Sequence, residues 1–279
     1  MRCRLHREGW PPLETTCIDY GFLTTAIRGR VFVSMPYHVK CIIPHERYCH
    51  FDGLNLVSSS VSDAAKADED ELLRLEDTKI WVTGPDGIRQ HLSLLEVSSL
   101  LRFAYASHLS FMDERDLRIM PVTWGLPHFS DDTMTAISPT AEELGIVVEL
   151  ENGQICKDVD LRYIDCDMGW GVFATNSISS ETFVGEYTGI VLFNQNPGPY
   201  SLNFPCLDGG HEINAADTGN IIRFVNHSSR PNSEFQRVFH MNIVHTVLRL
   251  CRDVAKNEQI LVDYSPSYWV GRGVAPMES

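Results

Sequence analysis

Lysine is scarce in this chain: five residues against eighteen arginines, within a total of 23 basic and 37 acidic side chains. The net charge of -14 opposes non-specific attraction to a phosphate backbone, so direct nucleic-acid binding is not expected. It favours solubility and a basic partner. Up to position 150 there are 22 acidic and 14 basic residues, and after it 15 and 9, so the acidity is spread and does not form a tail. Closely spaced cysteine pairs of the Cys-x-x-Cys kind are also missing. The eight cysteines lie scattered from Cys3 to Cys251, which reads as reduced thiols and not as a disulfide framework. Met1 to His6 opens no apolar run of signal-peptide length, and no stretch of about 18 apolar residues marks a membrane span. These absences point to a soluble intracellular protein. With 279 residues, 43% of them hydrophobic, the chain has enough material for one large domain or two modest ones.

Along the chain, Phe22 to Ile27 and Arg30 to Met35 read as short strands around Gly29. Cys41, His45, Cys49 and His50 fall within ten residues. Without a standard zinc spacing they read as loop or core in preference to a metal site. Ser58 to Asp77 reads as an acidic linker passing into a short helix. Lys79 to Thr83 is strand-like, and Gly84-Pro-Asp-Gly87 is a turn. Residues 88 to 109 carry helical apolar spacing through Leu92, Leu95, Ser99 and Phe103, which predicts an amphipathic helix. Ser138 to Gly145 predicts a short helix with Ser138 as its cap, Pro139 in the first turn and Gly145 at its end. A boundary near residue 140 follows, then Ile146 to Leu150 and a hairpin-type turn at Glu151-Asn-Gly153. Beyond it the chain reads as short strands between Gly, Asn and Pro turns.

Four pieces of the last third carry chemistry-bearing residues. Gly169-Trp170-Gly171 combines an aromatic with two glycines that let a backbone approach a ligand; alone it is a turn. Val184-Gly-Glu-Tyr187-Thr-Gly189 is a strand carrying a half-buried tyrosine. Gly219-Asn-Ile-Ile-Arg-Phe-Val-Asn-His-Ser-Ser-Arg-Pro-Asn232 is an apolar run that ends in three hydrogen-bonding side chains, Asn226, His227 and Ser228. Asn257 to Tyr264, followed by Tyr268 and Trp269, is a final strand with an aromatic end.

In this order and at this spacing, the region from about Val159 to Trp269 resembles the SET domain, the fold of most protein lysine methyltransferases. The resemblance does not extend over residues 1 to about 140. It implies an α+β fold: a SET domain over 141–270 made of small curved β-sheets with a knot-like feature, or pseudoknot. An α/β accessory region over 1–140 precedes it, and a tail over 271–279 follows. It implies S-adenosylmethionine as cofactor, held by Gly169, Trp170, Gly171, Arg223, Asn226 and His227. It makes Tyr264 the active-site tyrosine and Tyr187 a catalytic wall of the lysine channel, with Phe235 and Val262 lining that channel. The implied substrate is a basic protein or peptide, foremost a histone tail, which would place the protein in a nucleus. A non-histone target, or an inactive SET domain serving as a binding module, are the alternatives.

The chemistry suits these residues. Methyl transfer from a sulfonium to an amine is an in-line displacement in which alignment matters most. A lysine near pKa 10.4 must first lose a proton, at a cost of roughly 4 kcal/mol at neutral pH. Apolar and aromatic channel walls lower that cost by disfavouring the ammonium. The chain departs from the family pattern in lacking cysteine clusters before and after the domain. Ser229 stands where zinc-bearing relatives have a cysteine, so no metal is expected. Tyr268 and Trp269 are then the candidates to close the cofactor end by stacking on the adenine, with ordinary core packing as the alternative for Trp269. Asn214 replaces a frequent aspartate of mostly structural role. Few lysines would leave few self-targets for such an enzyme, although a plain compositional bias accounts for the count as well.

Overall fold

The computed structural model describes residues 61–113, 139–193, 198–204, 211–240, 243–266 and 268–269, with short strands at 2–5, 13–16, 38–43, 47–52 and 55–58. The fold is α+β and consists mainly of short strands in small sheets. The predicted strands at 22–27 and 30–35 lie outside the described residues. Cys41 to His50 spans an antiparallel pair, His38–Ile43 against Arg47–Asp52.

One four-stranded sheet runs in the order Gly169–Ala174, Val159–Asp165, Lys79–Thr83, Arg89–Ser93. A three-stranded antiparallel sheet runs Phe183–Glu186, Ile243–Leu250, Ser233–His240. A third sheet joins Ser201–Asn203, His211–Asn214, Ile190–Phe193 and Ser110–Asp113, and continues into the strands of residues 38–58. Register shifts between Tyr163 and Asp165 and between Phe183 and Gly185 bend and twist the strands that carry them. The expected boundary near residue 140 does not separate these sheets. Lys79–Thr83 pairs in parallel with Val159–Asp165, Ser110–Asp113 with Ile190–Phe193, and Ala104–Tyr105 with Thr218–Gly219. One core follows from this interleaving: Leu75, Val82 and Val97 belong to the same buried cluster as Leu161, Ile221, Leu248 and Val262.

Local chemistry sets the element ends. The Gly84–Gly87 turn closes with Gly87 N–H donating to Gly84 O at 3.0 Å, and Gly87 sits at φ +74. The helix expected over 88–109 occupies only Leu94–Leu101. Residues 89–93 pair with 79–83 instead, and Ser93 starts the helix through a reciprocal capping box with Glu96. Arg102, at φ 58, ends it. The acidic segment is more helical than its composition implied, forming Val61–Asp77. Thr140, not Ser138, caps Ala141–Leu144 through a box with Glu143, and Gly145 ends it at φ 68. The stretch leading into the expected hairpin-type turn is the helix Val147–Glu151. The two short helices put Ala141, Ile146 and Leu150 into a buried cluster with Phe183, Val238 and Val247. His240 ties them down, with Nδ1 3.2 Å from Glu142 Oε1 and Nε2 3.0 Å from Glu151 Oε1.

A second histidine cluster involves His245 and Glu186 of the three-stranded sheet and His108. His245 Nδ1 is 2.7 Å from Glu186 Oε1, with both side chains buried. Close by, burial pushes the His108 imidazole down to about 4; Glu186 opposes this, while Arg74 and His245 add to it. The folded value lies below the unfolded one, so the unfolded chain binds more protons in this window. Stability contributed by neutral His108 is therefore complete above about pH 6.5 and is lost as pH falls towards 4. The expected loss is on the order of 2 kcal/mol, read as a melting temperature that drops from pH 7 to 4.5 by more in the wild type than in a His108→Gln variant. Equal drops in the two proteins would contradict the assignment.

Candidate active site

The Gly219 to Asn232 stretch is shaped by two asparagines. Asn220, buried, caps the 3₁₀ turn Ile221–Phe224: its Oδ1 accepts from Ile222 N–H at 3.1 Å, while Nδ2 donates to Glu186 O at 2.8 Å. Ile221 and Ile222 thereby drop into the core. The chain then extends as Asn226–His227, paired in parallel with Leu261–Val262, and Ser228 N–H donates to Val262 O at 2.9 Å. Beyond the Pro231 turn Asn232 faces the same segment. Its Nδ2 donates to Gln259 O at 2.7 Å, its Oδ1 accepts from Leu261 N–H at 2.8 Å, and its own N–H donates to Leu261 O at 3.2 Å. The 259–262 segment is thus clamped between residues 226–228 and 232–233, which gives the knot-like feature its hydrogen bonds.

This clamp sets His227 beside the chain that carries Tyr264. Tyr264 N–H donates to His227 Nδ1 at 3.1 Å, so that nitrogen is the acceptor and Nε2 carries the proton. The Tyr264 hydroxyl donates to Val225 O at 2.7 Å. Tyr268 and Trp269 close around these two rings, with centroids 4.6 Å from Tyr264 to Tyr268 and 5.0 Å from His227 to Trp269. Trp269 Nε1 is buried with no hydrogen-bond partner among the described residues. Asn226 Nδ2 reaches across to Trp170 O at 2.9 Å and so joins the Gly-Trp-Gly strand to the same place. Gly169 takes φ +70, with open space where a side chain would start. At Gly171 a Cβ would stand 2.7 Å from the Gln259 amide and 2.8 Å from the end of the Ile164 side chain, so a larger residue there would have to push these two side chains aside.

Tyr187 borders this cluster. Its ring is buried and meets Phe235 edge-on at 5.5 Å, and its hydroxyl donates to Tyr200 O at 2.7 Å. Burial pushes its pKa far up, with Tyr264, Tyr200 and Tyr268 adding to the shift and Arg223 opposing it, so it stays a phenol at every working pH.

The structure brings together Trp170, Asn226, His227, Tyr264, Tyr268 and Trp269, with Tyr187 and Phe235 packed alongside. Two expected residues stand differently. Arg223 does not join this cluster. Its guanidinium lies 3.8 Å over the Tyr200 ring, and its Nη1 donates to Ala216 O at 2.8 Å. Val262 is fully buried and belongs to the core cluster, in register with His227. Asn214 serves as an acceptor for Ala216 N–H at 3.0 Å, the task an aspartate would also perform. Sequence reasoning missed Asn220 and Asn232 as the clamp, although both lie within the stretch it singled out. It also missed Tyr200, which no motif marks.

Residues 169–265 match the family model described as the SET domain. The relatives include histone-lysine N-methyltransferase ash1 of Drosophila melanogaster, 34% identical over 113 residues, or 37% of this chain and 5% of that protein. Histone-lysine N-methyltransferase SUV39H1-A of Danio rerio is 27% identical over 180 residues, or 59% of this chain and 41% of its own length. The chain thus spans less than half the length of either relative. Among solved structures, ATXR5 in complex with histone H3.1 mono-methylated on R26 aligns at 18% identity and a TM-score of 0.46, over 62% of this chain and 85% of that one.

Proposed function

We propose that the protein, whose residues 169–265 match the SET domain model, is an S-adenosylmethionine-dependent protein lysine N-methyltransferase acting on histone lysine. The observation that carries the reading is the direction of two hydroxyl hydrogens. Tyr264 and Tyr187 each commit their single O–H to a backbone carbonyl, Val225 O and Tyr200 O. What their oxygens can offer a ligand is therefore lone pairs. Two phenolic acceptors among aromatic walls suit a hydrogen-bond donor such as an amine and disfavour a carbonyl or carboxylate. The apolar surroundings of Tyr187 and Phe235 disfavour the charged ammonium, so the amine is held closer to its reactive neutral form.

The residues present fit the cofactor. The unpaired Trp269 Nε1 is a donor for an adenine nitrogen or a carboxylate oxygen, and the aromatic rings of Tyr268 and Trp269 offer a stacking face. Asn226 holds the Trp170 carbonyl, and His227 presents an Nε2 proton. When bound, S-adenosylmethionine supplies an electrophilic methyl group on a sulfonium. The chain's part is alignment: Tyr264 and Tyr187 orient the amine, and the aromatic wall excludes water. The -14 charge favours a basic peptide, and the relatives are named histone-lysine methyltransferases, so a histone tail is the substrate class and a nucleus the place of action.

A titration with S-adenosylmethionine should give saturable binding in the wild type and binding weakened by about tenfold or more in Asn226→Ala and His227→Ala. Unchanged affinity in both variants would remove these residues from the cofactor site.

A further inference from the structure

The placement of Arg223 gives it a different task from the one its position in the motif implied. Its guanidinium is packed between aromatic rings, 3.8 Å from Tyr200, 5.1 Å from Phe103 and 5.2 Å from Phe224, and one amine is fixed by Ala216 O. Tyr200 is a half-exposed tyrosine at φ 60, in the left-handed region where a side chain with a Cβ is disfavoured. Something must hold it there. Its own backbone is held by Ala215 N–H, which donates to Tyr200 O at 3.0 Å. Its ring is held by the stacked cation. The same carbonyl oxygen accepts the Tyr187 hydroxyl.

We propose that Arg223 is a positioning residue: by pinning the Tyr200 ring it fixes the strained Tyr200 carbonyl that aims the Tyr187 hydroxyl at the lysine channel. This role rests on the reading of the site as a lysine channel, but the geometry it asserts exists without substrate. Arg223 sits in the 3₁₀ turn, two residues before Val225, whose carbonyl fixes Tyr264. One turn thus governs both hydroxyls, Tyr264 through its backbone and Tyr187 through a side chain. Removing the cation frees the Tyr200 ring, lets residue 200 relax from positive φ, and turns its carbonyl away. Tyr187 then rotates its hydrogen to another acceptor, including the amine itself, where it would donate instead of accept.

The test compares wild type, Arg223→Met, Arg223→Lys, Tyr200→Leu, Tyr187→Phe and the Arg223→Met/Tyr187→Phe double variant. Tyrosine labelled at Cζ gives one signal per hydroxyl. Arg223→Met and Tyr200→Leu should both move the Tyr187 signal and leave the Tyr264 signal in place, and Arg223→Lys, which restores a cation over the ring, should return it most of the way. In methyl transfer to histone, Arg223→Met should lower kcat about tenfold with cofactor affinity unchanged, and it should have no further effect once Tyr187 is Phe. A Tyr187 signal unmoved in both Arg223→Met and Tyr200→Leu would overturn the proposal, as would full additivity in the double variant. If the labelled signals move as expected and the wild type transfers no methyl to any protein, the positioning role stands and the methyltransferase reading falls.

Discussion

Tyr264→Phe is expected to slow methyl transfer by about 10²–10³-fold, roughly 2.7–4 kcal/mol of barrier, while S-adenosylmethionine still binds within a few-fold of wild type. The variant keeps the ring that meets His227 at 5.5 Å and Tyr268 at 4.6 Å, so the aromatic wall survives. It also keeps the backbone N–H that donates to His227 Nδ1, so the histidine tautomer is unchanged. What it loses is one oxygen, and with it the acceptor that orients the amine. It also strands Val225 O, a buried carbonyl whose loss of a partner costs about 1–3 kcal/mol of stability. A modest fall in melting temperature should therefore accompany the kinetic loss. Single-turnover kinetics beside a binding titration separate the two effects. Near-normal turnover would remove Tyr264 from its role, and a collapse of cofactor binding would make it a structural residue.

The second large effect is on folding and falls on Asn232, which is 1% exposed. Its side chain joins Gln259 O and Leu261 N–H, two backbone groups of a segment that must lie against His227 for the site to exist. Asn232→Ala leaves both groups, which are partly buried, without their side-chain partner, at an expected cost of about 2–4 kcal/mol. For a chain of this size that is a fall in melting temperature of roughly 5–15 °C. Asn232→Asp should recover little of it, since it keeps an acceptor for Leu261 N–H but sets a carboxylate oxygen against Gln259 O and Glu258 Oε1, to which Asn232 Nδ2 donates at 2.7 and 3.2 Å. A drop of less than about 2 °C in the alanine variant would mean that the parallel pairing of 226–227 with 261–262 holds the clamp without it.

The site was legible in the sequence to the extent that its chemistry is local. Asn226, His227 and Tyr264 sit in short runs whose residue types announce a site, and they do converge. Gly169-Trp170-Gly171 was ambiguous alone, and the Asn226 bond to Trp170 O explains why it belongs with the others. Arg223 was misread because a motif gives a residue's place along the chain and not the direction of its side chain. Arg223 lies in the 3₁₀ turn and Asn226 in the extended strand after it, so Arg223 turns to Tyr200 and Ala216 O while Asn226 reaches Trp170 O. Tyr200 could not be found from sequence, since its role depends on a positive φ and on a carbonyl, neither of which its identity encodes. The helix at 88–109 failed for a different reason. Leu92 and Leu95 fit helical spacing, but 89–93 had a strand partner at 79–83, and the capping box at Ser93 and Glu96 moved the helix start. The expected division at residue 140 likewise missed long-range strand pairing, which leaves no local trace.

The measurement that tests the central claim most directly is methyl transfer itself. The chain is incubated with isotopically labelled S-adenosylmethionine and purified core histones, and the products are mapped by mass spectrometry. The account predicts label on lysine side chains of a histone tail, depleted by about 10²-fold or more in Tyr264→Phe. Tight binding of the cofactor with no label on any histone or other basic protein would contradict it, and would leave residues 169–265 as a binding module.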